Sequence, residues 1–113
     1  MDNSKALVGP FQELVLEAIL DAGSEAYGIC ILERVTQFVR RPVSLGAVYT
    51  TLSRLEQHGY VSSCLGDSTP QRGGKRKKYF SVEEKGKTVL AQLKEMRARL
   101  PQPILSGPTA ETA

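Results

Sequence analysis

The chain has 113 residues, 41% of them hydrophobic and 24% charged, with two cysteines, one histidine, no tryptophan and a formal net charge of +3. That length suits one domain with a modest core, and the balance is that of a folded protein in water. No apolar stretch approaches the ~20 residues of a membrane span, and the first residues lack the basic-then-apolar build of a secretory signal, so a cytoplasmic protein is expected.

Residues 1–9 are mixed and polar and read as an N-terminal arm, closed by Gly9-Pro10. Proline suits the first helical position because its missing N–H has no helical partner there. From Phe11 the residues Leu14, Val15, Ala18 and Ile19 recur at helical spacing, and Gly23 ends the run. Ser24 is placed to cap a second helix, whose apolar positions are Tyr27, Ile31, Val35 and Phe38. Arg40-Arg41-Pro42 stops it, since the residue before proline disfavours helix.

Ser44 opens a third helix in which Leu45, Val48, Leu52 and Leu55 make one buried edge. Gly59 stops it. Tyr60–Leu65 reads as a strand, residues 66–74 (GDSTPQRGG) as a loop of turn residues, and Lys77–Val82 as a second strand with Phe80 and Val82 inward and Lys77, Tyr79 and Ser81 outward. Ser81 and Glu84 have the spacing of a capping box, so a fourth helix starts there. Its Val89, Leu93, Met96 and Leu100 form a heptad-like seam. Pro101 and Pro103 end it, and the Pro/Ser/Thr/Gly/Ala-rich residues 101–113 are expected to be disordered. The fold class is α+β but mostly α. A winged helix-turn-helix unit of three helices and a two-stranded wing spans residues 10–82, and a C-terminal dimerisation helix follows at 83–100.

Charge is unevenly placed along this order. Of the 15 basic residues only Lys5 and Arg34 precede Arg40, whereas six of the 12 acidic residues do. A basic second half fits either a polyanion partner or a solvated face. The third helix exposes a slim, hydrogen-bonding side of Ala47, Thr50, Thr51 and Arg54, with Ser44, Tyr49 and Ser53 near its edges, free of acid until Glu56. Such a side suits the DNA major groove: Ala47 and Thr50 for base edges, the Tyr49 hydroxyl for a phosphate, Arg54 for guanine or phosphate. A plain solvent-facing surface is the other reading. The hairpin then concentrates Arg72, Lys75, Arg76, Lys77 and Lys78 without an acid. Such crowding is unfavourable until a phosphate backbone neutralises it. An acidic protein would do the same, which leaves a winged-helix protein-interaction module as the alternative.

Other chemistries find little support. Cys30 and Cys64 sit in apolar runs and are expected to be reduced core residues, with a redox pair as the lesser reading. Those two thiols and His58 are too few for zinc, so neither metal nor cofactor is expected. No nucleophile–base pair, carboxylate pair or phosphate-cradling loop suggests an enzyme.

The segments Ala26-Tyr27-Gly28-Ile29, Ser44 to Tyr49 (SLGAVY), Leu52 to Val61 (LSRLEQHGYV) and Lys75 to Phe80 ahead of Gly86 together resemble the PadR family of transcription regulators over about residues 10–95. The resemblance implies a winged-helix repressor that dimerises through its C-terminal helix and binds double-stranded DNA. It places Tyr49, Arg76 and Lys77 at the DNA side. The expected dimer interface comprises Phe11, Leu14, Val89, Leu93, Met96 and Leu100, and the expected operator is an inverted repeat. Departures from the family pattern are Glu25-Ala26 for His-Gly, Thr50-Thr51 for a frequent Pro-Ala, and Glu83 for a usual Thr. Some relatives stack flat aromatic compounds on tryptophan at the dimer interface. Without tryptophan no such site is expected here, and a small-molecule effector stays unassigned.

Overall fold

The structure is a computed structural model, and it describes residues 8–66 and 77–100. Four helices and one hairpin follow each other in the order α1 (Pro10–Ala22), α2 (Gly28–Val39), α3 (Leu45–Gln57), β1 (Val61–Leu65), β2 (Lys78–Val82) and α4 (Glu84–Arg99). Residues 1–7 of the N-terminal arm, residues 67–76 of the wing tip, with Arg72, Lys75 and Arg76, and the tail expected to be disordered lie outside the described residues.

α1 begins at Pro10 as its sequence suggests, with the Gly9 N–H donating to Gln12 Oε1 at 2.9 Å. A single 3-10 turn, Gly23–Glu25, separates it from α2. Ser24 lies in that turn and does not cap α2. Tyr27 holds the N-cap position without a side-chain hydrogen bond, because the chain is drawn there into the sheet before it coils. Val15, Leu16, Ile31, Val35, Val48, Leu52 and Leu55 are fully enclosed where α1, α2 and α3 meet. Burying an aliphatic side chain of this size stabilises the fold by ~1.5–3 kcal/mol. Leu45, expected on the same buried edge, is half-buried, because it occupies the first turn of α3 at the rim of the core.

α3 ends in a Schellman motif. The Tyr60 N–H donates to the Leu55 carbonyl at 2.9 Å and the Gly59 N–H to Glu56 at 3.0 Å, with Gly59 at φ 82 in the left-handed region. This reversal aims the chain straight into β1. β1 and β2 are antiparallel with Val61 opposite Val82 and Ser63 opposite Phe80. Val61, Phe80 and Val82 are buried, as period-two alternation requires. The other edge of β2 is also occupied: Tyr79 bridges to Tyr27, and the Phe80 N–H donates to the Ala26 carbonyl at 2.8 Å. The segment ahead of α2 thus acts as a rudimentary third strand and ties the wing to the helical core. Tyr79, expected outward, is half-buried for this reason, its ring 5.6 Å from that of Tyr27 in an edge-on contact.

The capping box expected at Ser81/Glu84 does not form. Ser81 remains in β2, and Glu83 is the N-cap of α4 without a side-chain bond. What holds the start of α4 is close packing. A Cβ on Gly86 would lie 2.5 Å from the Tyr60 carbonyl oxygen and 2.7 Å from Val82 Cγ1. Further along, Arg97 pairs with Glu13 at 2.9 Å and Lys94 with Glu17 at 3.5 Å, so α4 runs antiparallel along α1. The Glu13 hydrogen bond, and secondly its charge, raises the Arg97 pKa above its already high ordinary value.

The α4 seam divides between two environments. Val89 and Leu93 (6% exposed), together with Leu90, are buried against the protein's own core. Met96 and Leu100 stand 42% and 55% exposed. Of the other two residues expected at a dimer interface, Phe11 is packed against the core and Leu14 is half-buried. Cys30 is buried as expected, but Cys64 is exposed, since it lies on the wing beyond the reach of the helices; both are free thiols. Among the described residues no group of histidine, cysteine and carboxylate side chains is arranged to hold a metal, and no helix is long and apolar enough to cross a membrane.

Candidate nucleic-acid interface

The exposed side of α3 is built from its first residue. Ser44 Oγ accepts the Ala47 N–H at 3.0 Å, the cap its sequence position suggests, and this fixes where helical geometry begins. With Val48, Leu52 and Leu55 turned inward, Ser44, Ala47, Thr50, Ser53 and Arg54 are all exposed, while Thr51 is half-buried. The expected acid at the end of this side is absent from it. Glu56 turns away and accepts a 2.7 Å hydrogen bond from Ser63 Oγ on β1. The helix therefore presents hydroxyls, a methyl group and a guanidinium, with its carboxylate spent on the hairpin.

Tyr49 is partly redirected. A Cβ on Gly28 would lie 2.1 Å from Tyr49 Oη and 2.5 Å from Cζ, so the end of the ring rests on the bare backbone at the first residue of α2. The side chain remains 44% exposed. It braces α3 against α2 while one flank of it faces solvent.

Lys77 and Lys78 stand at the base of the wing. The Lys77 ammonium lies 3.5 Å from the centre of the Tyr27 ring, and Lys78 is 5.8 Å from that of Phe80. Cation–π contacts at such distances contribute about 0.5–1 kcal/mol at exposed sites. The sequence pattern shows Tyr27 as an apolar helix position and misses this role. No local signal joins it to Lys77, because the two meet through the bridge to Tyr79.

The cations fall into two groups. Arg34, Lys87, Lys94, Arg97 and Arg99 each lie within 4 Å of a carboxylate, and Lys85 donates to the His58 carbonyl at 2.8 Å. Arg40, Arg41, Arg54, Lys77 and Lys78 meet no carboxylate among the described residues. The paired cations belong to α2 and α4. The unpaired ones lie on the α2–α3 turn, α3 and the wing, so uncompensated positive charge is carried by those three segments.

Three helices, a hairpin anchored beside the third, and a closing helix define a winged helix-turn-helix protein. The model of the "Transcriptional regulator PadR-like family" matches residues 15–92, and the chain belongs to this family. A PadR-like transcription factor from Bacteroides fragilis is 26% identical and superposes with a TM-score of 0.61, over 86% of this chain and 90% of that one. A PadR family transcription regulator from hypervirulent Clostridium difficile is 25% identical with a TM-score of 0.60, over 80% and 88% of the two chains. A transcriptional regulator from Clostridium thermocellum shares the fold at 21% identity and a TM-score of 0.63, over 78% and 80%. No curated protein sequence matches the chain.

Proposed function

We propose that the protein is a sequence-specific regulator that binds double-stranded DNA as a homodimer, with α3 in the major groove and the wing on the flanking phosphates. The observation that carries this is the exposed side of α3. It has no free carboxylate, bears small and hydroxyl side chains at its start, and lies between two runs of cations that meet no carboxylate among the described residues. The groups it exposes are Ala47, Tyr49, Thr50 and Arg54.

Ser44, Tyr49 and the wing cations, including Arg72, Lys75 and Arg76, act on phosphates and set position. Ala47, Thr50 and Arg54 read bases. The dimer forms through the free half of the α4 seam, Met96 and Leu100, because the other half already serves the protomer. With two-fold symmetry the paired α3 helices lie about one DNA turn apart, ~34 Å, on an inverted repeat. Occupying such a site in a promoter represses transcription, as the family resemblance implies.

Selection from a random DNA library tests the proposal. Wild type should return an inverted repeat, and Thr50→Ala should return one with altered half-sites, at a cost of roughly 1–3 kcal/mol per contacted base pair. No enrichment, or the same repeat for both proteins, would count against it.

A further inference from the structure

The turn between α2 and α3 bears a cost that the fold does not require. Arg40, at the C-terminal cap of α2, adopts φ 60 and ψ 36, and it is the one non-glycine residue with positive φ among the described residues. Glycine is the usual occupant of such a cap, because a Cβ there crowds the neighbouring carbonyl. The cap itself uses only the Arg40 backbone N–H, which donates to the Thr36 carbonyl at 2.8 Å. The Arg40 side chain is exposed, and neither it nor the equally exposed Arg41 meets a carboxylate among the described residues.

The turn is also held in place. Pro42 restricts its own backbone, Val43 packs against the core and Ser44 caps α3. The backbone that carries the two arginines is therefore held at the N-terminal end of α3, whereas the wing departs from its C-terminal end. Strain retained in a fixed, exposed position is expected where the side chain has a task.

We propose that Arg40 and Arg41 form a second phosphate-contact site, which grips the DNA backbone beside the groove that α3 enters. This rests on the placement of α3 proposed above. Phosphate contacts at both ends of α3 would determine its angle and depth, and hence which base pairs Ala47 and Thr50 reach. The pair is a positioning element and reads no sequence itself.

The test uses the full chain with the selected operator duplex and a random duplex of equal length, titrated between 50 and 200 mM salt. Arg40→Gly relieves the left-handed residue while removing its charge. Its Tm should equal or exceed that of wild type by a few degrees, while affinity for both duplexes falls. The slope of log affinity against log salt should drop by roughly 0.9 for each contact removed, and so by about 1.8 in Arg40→Gly/Arg41→Ala. Arg41→Lys should retain the wild-type slope. An unchanged slope in the double variant, alongside a reduced one in Lys77→Ala/Lys78→Ala, overturns the second site and leaves the α3-and-wing placement standing. A loss confined to the operator duplex overturns it as well, because that would be base reading. Failure of the wild-type protein to bind either duplex removes both proposals.

Discussion

Two glycines near the starts of two helices should respond oppositely to the same substitution. In an exposed helix, Gly→Ala gains up to about 1 kcal/mol by restricting the unfolded chain. Gly46, on the exposed side of α3, has nothing within 4 Å of an added Cβ, so Gly46→Ala should realise that gain. At Gly86 the added carbon would stand 2.5 Å from the Tyr60 carbonyl oxygen, about 1 Å inside ordinary contact. That oxygen accepts the Glu83 N–H at 2.8 Å, so it cannot retreat without weakening the bond that leads β2 into α4. Val82 Cγ1 at 2.7 Å blocks escape on the other side. Overpacking of this kind costs about 1–3 kcal/mol. With a backbone atom involved the upper end applies, and after the propensity gain a net loss of about 2 kcal/mol remains. For a domain of this size that corresponds to a fall of roughly 8–16 °C in Tm, against a rise of a few degrees for Gly46→Ala. Thermal unfolding followed by circular dichroism, at one fixed protein concentration, measures both. A Gly86→Ala protein as stable as wild type would refute the close approach of α4 to Tyr60.

Further expectations follow from single contacts. Ser44→Ala should lose about 1 kcal/mol in denaturant unfolding, since the Ala47 N–H loses its acceptor, whereas Ser44→Asn should recover most of it. Met96→Glu/Leu100→Glu should shift sedimentation from dimer to monomer with the protomer fold intact by circular dichroism, because both side chains are exposed in the protomer; a variant that stays dimeric excludes this interface. Leu93→Glu is the poorer probe, as it would also break the protomer's own packing. Tyr27→Leu removes both the Tyr79 ring contact and the Lys77 platform, and should cost about 1–2 kcal/mol in unfolding. If Tyr27→Leu unfolds at the wild-type denaturant midpoint, the wing is held by other means.

Local pattern was enough for the order of the elements and for some of their limits. Proline at the start of α1, the Ser44 cap, Gly59 after α3 and the alternation around Phe80 each act within a few residues of their own position, where steric and hydrogen-bonding rules operate without the rest of the chain. The face of α3 followed from the same logic, since an apolar edge at Val48, Leu52 and Leu55 leaves only one direction for Ala47, Thr50 and Arg54. What eluded that logic depends on partners distant in sequence. Ser24 and Ser81 have capping residues' chemistry, but sheet pairing of Tyr27 with Tyr79 and extension of β2 set where α2 and α4 begin. An evenly spaced α4 seam gives no hint that its first half serves the protomer, because the packing of Gly86 against Tyr60 and the ion pairs to α1 decide which residues are covered. Which cations remain uncompensated is likewise a property of the fold: Arg97 and Arg54 are equivalent as letters, and only the proximity of Glu13 to the one and of no described carboxylate to the other separates them.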